Sequence, residues 1–246
     1  MKFKTEDLEA LQWYAAMGLE VGISSLQEAS SDALCHTSDS ACHPSESGDD
    51  HVTLASLRSA VMNFDGCALK ATATNTVFGD GIETAKIMLI GEAPGATEDA
   101  QGIPFCGESG KLLDNMILSI GLSRTKNVYI TNTIFWRPPG NRAPTDQEIE
   151  ACRPFVEKHI ALIKPELLIL VGSTAVTSLI GKHLQISKIR QEYYQYTNKY
   201  LDKAIKTTAV FHPAYLMRQP SQKKAMWYDL LRIKDFIEKN IPKALF

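Results

Sequence analysis

Four short, almost uninterrupted apolar runs punctuate the chain from residue 85 onward: AKIMLIG (85–91), NVYITN (127–132), ELLILVG (166–172) and TTAVFHP (207–213). Their apolar residues are continuous rather than alternating, as in strands buried on both faces of a parallel sheet. Between and after them, apolar positions recur at helical spacing over 109–120, 145–163, 173–180 and 220–238. Strands and helices in alternation predict an α/β fold: a three-layer α/β/α sandwich around a central, mainly parallel four-stranded sheet, occupying residues 54–246.

The first fifth of the chain has a different pattern. TEDLEALQWYAAMGL sets Leu8, Leu11, Trp13, Tyr14 and Leu19 near a helical period, with Thr5 as N-cap, and predicts an amphipathic helix within 1–19. Residues 20–53 are dominated by Ser, Ala, Asp and Glu, too poor in large apolar groups to offset chain entropy, and read as a flexible acidic linker. Cys35-His36 and Cys42-His43 within it match no zinc spacing. With 246 residues and 44% hydrophobic content the chain can build one substantial core. Its apolar runs fall far short of the roughly 20 residues needed to span a bilayer. The N-terminus has no signal-peptide pattern, so a cytoplasmic protein is expected. Five cysteines point to free thiols or metal ligands rather than a disulfide framework. The net charge of -2 hides an asymmetry: residues 1–60 carry three Lys/Arg against ten Asp/Glu, whereas residues 182–246 carry thirteen against five. A basic C-terminal part suits either a solvated face or a polyanion surface.

Ligands of open α/β sheets sit beyond the carboxyl ends of the strands. The first such end reads Gly91-Glu92-Ala93-Pro94-Gly95, which lacks the G-x-G-x-x-G pattern. CGESGK (106–111) fails as a phosphate loop, with Phe105 where glycine and Leu112 where Ser or Thr would be required. Nucleotide hydrolysis is therefore not expected. Asn132 ends the second apolar run and offers a donor and an acceptor in one plane, suited to the edge of a nucleobase. His212 follows the last run and can hold or receive charge near neutral pH. Together with the flat ring of Phe105, they predict a pocket for one planar heterocycle.

The motifs TNTVFGDG (74–81), GEAPGATEDAQGIPFCGESGKLLD (91–114), YITN (129–132), RPPGNRAPT (137–145) and FHPAYLMR (211–218), in that order, make the chain resemble the family 4, iron-sulfur type uracil-DNA glycosylases over about residues 64–240. The resemblance implies an enzyme of base excision repair that flips uracil out of single- or double-stranded DNA and hydrolyses its N-glycosidic bond, leaving an abasic site. It implies that Phe105 stacks on the base, Asn132 hydrogen-bonds its edge, His212 stabilises charge on its carbonyl oxygen and the Gly91 backbone lines the pocket. Glu92 orients water or favours the cationic sugar, and Glu98 and Asn141 are further catalytic candidates. No lysine stands at these strand ends, so plain hydrolysis without strand cleavage is expected. Leu216 or Met217 is the expected wedge for the vacated stack. Arg218, Lys188 and Arg190, with Lys223 and Lys224, are the expected phosphate contacts.

The same resemblance implies four cysteine ligands for a 4Fe-4S cluster, and here the chain departs from the pattern. Cys67 and Cys152 remain, while Phe64 and Trp136 occupy the other two positions. Two thiolates hold such a cluster weakly, whereas two bulky rings can fill its space, so no cluster is expected and none is needed for the chemistry. A monomer is expected, with the N-terminal helix free to bind a repair or replication protein. The alternative reading is a non-catalytic module binding uracil or single-stranded DNA. A glycosylase trapped covalently on its DNA ranks last, because RPPGNRAPT carries no inserted basic loop ending in histidine.

Overall fold

The computed structural model describes residues 52–181 and 185–242. The helix read at 1–19 and nearly all of the linker read at 20–53 lie outside the described residues. A compact unit begins at Thr53, whose side chain accepts from Ser56 N–H at 3.1 Å and caps α1 (Leu54–Met62). There follow β1 (Asp80–Gly81), β2 (Ile87–Gly91), α2 (Ala96–Gln101), α3 (Glu108–Leu118), β3 (Val128–Asn132), α4 (Asp146–Ile163) and β4 (Leu167–Val171). The chain then forms α5 (Ser173–Leu179), α6 (Ile186–Ile189), β5 (Tyr194–Tyr196), β6 (Ile205–Val210), α7 (Pro213–Arg218) and α8 (Lys223–Asn240).

Among the described residues, one six-stranded sheet has the order β1-β3-β2-β4-β6-β5. Its four central strands, those read from the apolar runs, are parallel: β2 pairs with β3 and β4, and β4 with β6. Every residue of β2, β3 and β4 is buried, as continuous apolar runs require. Two short antiparallel strands, β1 against β3 and β5 against β6, finish the edges. Only two and three residues long, they are too brief to register as a hydrophobic period. The chain leaves β2 toward β3 but leaves β4 toward β6, so its direction reverses between the carboxyl ends of β2 and β4. That switch point is where an open α/β sheet leaves a crevice. Among the described residues, no helix is long and apolar enough to cross a membrane.

Beside the sheet, α1, the turn at Ala68–Ala71 and α4 enclose part of the core that contains Phe64, Cys67, Trp136 and Cys152. Trp136 is 1% exposed, and its indole Nε1 donates to Thr76 Oγ1 at 3.0 Å. Phe64 stacks on Trp136 with ring centroids 6.4 Å apart and meets Phe155 edge-on at 4.8 Å. Phe135 meets Trp136 edge-on at 6.0 Å. The Cys67 thiol beside it, and then burial, push the Cys152 thiol far up. This aromatic packing makes a prediction. Replacing Trp136 by Ala is expected to destabilise the domain by about 3–5 kcal/mol, the usual cost of deleting a buried large ring. Urea denaturation of the two proteins measures it, and a loss under about 1 kcal/mol would mean that the ring is not integral to this core.

Candidate active site

The crevice at the switch point opens into a cavity of about 900 Å³ that receives Glu92, Phe105, Asn132 and His212. Parallel pairing of β2 with β3 sets Gly91 directly opposite Asn132. A Cβ at Gly91 would overlap the Phe105 ring and stand 2.5 Å from Asn132 Oδ1. Glycine is required there so that ring and amide can close over the strand end. Asn132 is 1% exposed, and its Oδ1 has no hydrogen-bond partner among the described residues. An unpaired buried acceptor costs about 1–3 kcal/mol, a penalty expected at a site that a ligand completes.

Phe105 adopts a left-handed backbone, φ +52°, which costs a non-glycine residue roughly 1–3 kcal/mol. Its ring is buried and lies 5.8 Å from the His212 ring, tilted by 34°. His212 stands at the N-terminus of α7, where Nδ1 accepts from Ala214 N–H at 3.2 Å. Because Nδ1 accepts, the neutral ring carries its proton on Nε2. Burial lowers the pKa of His212, opposed by Glu92 and assisted by Arg218, so the imidazole is neutral at pH 7 and presents an N–H donor. Gly172, with φ +98°, gives His212 room, since a Cβ would lie 3.1 Å from that of His212.

Glu92 is fixed at both of its ends. Thr133 Oγ1 donates to its main-chain oxygen and Thr174 Oγ1 donates to its carboxylate Oε2, each at 2.6 Å. Glu98 is committed to the loop that carries Phe105. Its Oε2 accepts from Gly95 N–H at 3.1 Å, and its Oε1 accepts from Cys106 N–H at 3.1 Å and Gly107 N–H at 2.9 Å. Asn141 is exposed at the cavity rim with φ +55°, its Oδ1 accepting from Arg137 Nε at 2.7 Å. The loop behind it is tied to α4 through the Arg142–Glu148 pair at 2.6 Å. Hydrogen bonds from Arg142 and from Thr145 hold Glu148 down to about 2.

Three expectations about the nucleic-acid face need correction. Leu216 is 0% exposed and belongs to the packing under α7, so it cannot serve as a wedge, whereas Met217 beside it is 51% exposed. PAYLMR is a helix here, and helical geometry turns adjacent residues to different sides. Arg190 is not a free phosphate contact: its Nη1 pairs with Asp229 at 2.6 Å and its guanidinium lies 4.6 Å from the centre of the Phe211 ring. Lys223 is 8% exposed and engaged within the fold. Arg218, Lys188 and Lys224 remain exposed.

Sequence reasoning missed Thr174, Gly172 and Arg124, which touch Glu92, His212 and Phe105 respectively; Gly172 ends the third apolar run but has no side chain to mark it, and the other two stand in no strand-end motif. The helix α2 inside the Gly91–Phe105 loop also escaped it, being only six residues long. The cysteine positions bear on the implied cofactor. Two thiols, a phenyl ring and an indole already bonded to Thr76 do not form the four-thiolate set of a 4Fe-4S cluster, so the residues present do not fit that group.

Residues 78–231 match the family model described as the uracil DNA glycosylase superfamily. The chain is similar to the Type-4 uracil-DNA glycosylase of Sulfurisphaera tokodaii, 37% identical over 188 residues that cover 74% of this chain and 84% of the relative. The corresponding protein of Archaeoglobus fulgidus is 36% identical over 186 residues, 74% of this chain and 92% of the relative. That of Thermotoga maritima is 35% identical over 177 residues, 71% and 89%. A family match through the parallel sheet and across its strand-end pocket, with relatives aligned over most of their own length, means that this chain belongs to the uracil-DNA glycosylase superfamily.

Proposed function

We propose that the protein is a monofunctional uracil-DNA glycosylase, which hydrolyses the bond between uracil N1 and deoxyribose C1′ and leaves an abasic site. The observation that carries this reading is the unpaired, buried Oδ1 of Asn132 beside the Phe105 ring. Uracil brings an N3–H donor to that acceptor, and O4 can accept from the same amide. Cytosine presents an acceptor at N3 and a donor at N4, the opposite pattern, and is rejected.

As the C1′–N1 bond breaks, its electron pair moves into the pyrimidine and charge grows on O2. Neutral His212 donates Nε2–H to that oxygen from a partly buried site, where a fixed dipole is worth more than in water. The sugar becomes oxocarbenium-like, favoured by the Glu92 carboxylate. Water then adds to C1′, oriented by Glu92, which takes up its proton. We assign Glu98 to holding the Phe105 loop and Asn141 to the rim where DNA enters. Met217 is the wedge that fills the vacated stack, and Arg218, Lys188 and Lys224 meet phosphates. No step runs through iron. The packed Phe64, Trp136, Cys67 and Cys152 core does the joining that a cluster would do. The enzyme acts as a cytoplasmic monomer on cellular DNA, and the acidic N-terminal segment serves partner binding.

An end-labelled oligonucleotide with one uracil, incubated with metal-free protein and then treated with alkali, tests this reading. Cleavage at the uracil by colourless protein is expected. Tight binding of uracil-containing DNA without cleavage would replace the enzyme by a binding module, and brown protein whose activity is lost on bleaching would restore the cluster. Thr174 adds a finer prediction. Thr174→Val removes a hydrogen bond to a carboxylate, worth about 1.5–3 kcal/mol, and is expected to lower kcat by roughly 10- to 100-fold. Thr174→Ser should recover most of the rate in single-turnover assays. Equal rates for the valine and parent proteins would remove Thr174 from the account of Glu92.

A further inference from the structure

Phe105 holds a left-handed backbone at the mouth of the pocket, and Glu98 within its own loop is joined in holding it by groups from outside that loop. Arg124, in the segment entering β3, spreads its guanidinium across that loop. Nη1 donates to Pro104 O and Nη2 to Phe105 O, each at 2.9 Å. The rest of the fork is also fixed. Nε and Nη2 reach Asp114 Oδ1 at 3.0 and 2.9 Å, and Nη1 reaches Asp80 Oδ2 at 3.0 Å. The Arg124 side chain is 15% exposed, against 39% for Asp80 and 42% for Asp114. Asp80 comes from β1 and Asp114 from α3, so three elements distant in sequence converge on two consecutive carbonyls. From the other side α3 closes in so tightly that Gly110 leaves no space for a Cβ against the Phe105 carbonyl.

Two carbonyls that would otherwise turn to water are pinned by one planar cation, whose own orientation two carboxylates lock. A lysine supplies the charge but not the fork. The geometry points to Arg124 as a positioning residue: it holds the Phe105 ring in the orientation that receives the flipped base, with Asp80 and Asp114 as the anchors of the clamp. The inference rests on the glycosylase reading and extends it, because it assigns base capture to an ion-pair network outside the pocket. Its function is to set the ring before substrate arrives, so that binding energy is not consumed in ordering the loop.

A double-mutant cycle on the full chain tests this, with Arg124→Lys and Phe105→Ala singly and together. Two readouts are taken: kcat and KM for excision from a uracil oligonucleotide, and affinity for DNA carrying a non-cleavable 2′-fluoro-deoxyuridine. Arg124→Lys is expected to lower kcat/KM by roughly 10- to 100-fold, as small displacements of a positioning group do, with most of the change in KM. In the Phe105→Ala background the same substitution should change kcat/KM by less than about threefold, because the ring through which it acts is gone. Affinity for the non-cleavable DNA should follow the same pattern. Factors that multiply in the double variant, or parental kinetics for Arg124→Lys, would overturn the inference. If Arg124→Lys fails to melt cooperatively, Asp114→Asn replaces it in the cycle, since it loosens the clamp while keeping the arginine, and the same non-additivity is required. A parent protein that binds the analogue but excises nothing refutes the glycosylase reading, and the affinity cycle still decides the role of Arg124.

Discussion

His212→Asn is expected to lower kcat for uracil excision by about 10²- to 10³-fold, the usual cost of removing one donor aimed at a developing oxyanion. Asparagine is the informative replacement, because His212 has two tasks. Its Nδ1 caps α7 by accepting from Ala214 N–H at 3.2 Å, and asparagine is among the best N-cap residues. The helix start is thereby kept while the Nε2–H donor is lost. The melting temperature should move by no more than about 4 °C, the shift that roughly 1 kcal/mol produces in a domain of this size. A rate loss matched by a large fall in melting temperature would make His212 a structural residue.

The pH dependence has a definite sign. Burial lowers the pKa of His212 below its ordinary value of 6.5. The neutral ring therefore persists from alkaline pH through 6.5, and the stability due to its burial is fully present above that value. Both the stability and the rate decline as pH falls through the lowered pKa, because a proton on Nδ1 opposes Ala214 N–H and breaks the cap. Single-turnover kcat of the parent should be flat near neutrality with an acid limb below about 6.5. An acid limb centred above 6.5 would contradict a neutral, buried imidazole.

Asn132→Ala is expected to cost at least about 10³-fold in kcat/KM and to erase the preference for uracil over cytosine. A site that hydrogen-bonds one edge pattern owes its selectivity to the groups left unpaired by the wrong base. Stability should not fall as it does on an ordinary core deletion. Asn132 is 1% exposed and its Oδ1 is unpaired, so truncation removes an unsatisfied acceptor while opening a small cavity. These effects are each about 1–3 kcal/mol and of opposite sign, leaving the melting temperature near that of the parent. Calorimetry beside excision assays on uracil and cytosine oligonucleotides measures both. A strongly destabilised variant would mean that Asn132 has a partner within the free protein.

The lost selectivity of Asn132→Ala and the lost rate of His212→Asn separate the two halves of the proposed chemistry. One side chain reads the base through ground-state contacts, and the other acts on charge that exists only as the bond breaks. Thr174 stands behind a third component, the carboxylate of Glu92, and does not touch the base. Arg124 stands behind the stacking ring in the same way.

The four parallel strands and the main helices were legible in the sequence because their signals are local and long. A strand buried on both faces must be apolar throughout, and a helix of eleven or eighteen residues shows its period plainly. That Gly91, Phe105, Asn132 and His212 meet in one crevice was legible because open sheets leave their crevice at strand ends and because long motifs surround these residues. The two or three residues of β1 and β5 hold no period, and the six of α2 are set by the Glu98 capping interaction. Leu216 and Met217 are adjacent and both apolar, so only the direction of each side chain on α7 separates a core residue from an exposed one.

By itself, then, the sequence determined the α/β class, the order of its main elements, the strand ends that line the crevice and the presence of Phe64 and Trp136 beside Cys67 and Cys152. Tertiary structure alone decided that Thr174 reaches Glu92 across 82 positions of sequence, and that Arg124, paired with Asp80, donates to the Phe105 carbonyl. It also decided that Arg190 turns inward to Asp229 and that Phe64 and Trp136 share a packed core with the remaining thiols. The physical reason is range. Propensity, periodicity and motif are properties of neighbours along the chain, whereas a hydrogen bond or a ring contact depends on where folding brings distant residues together.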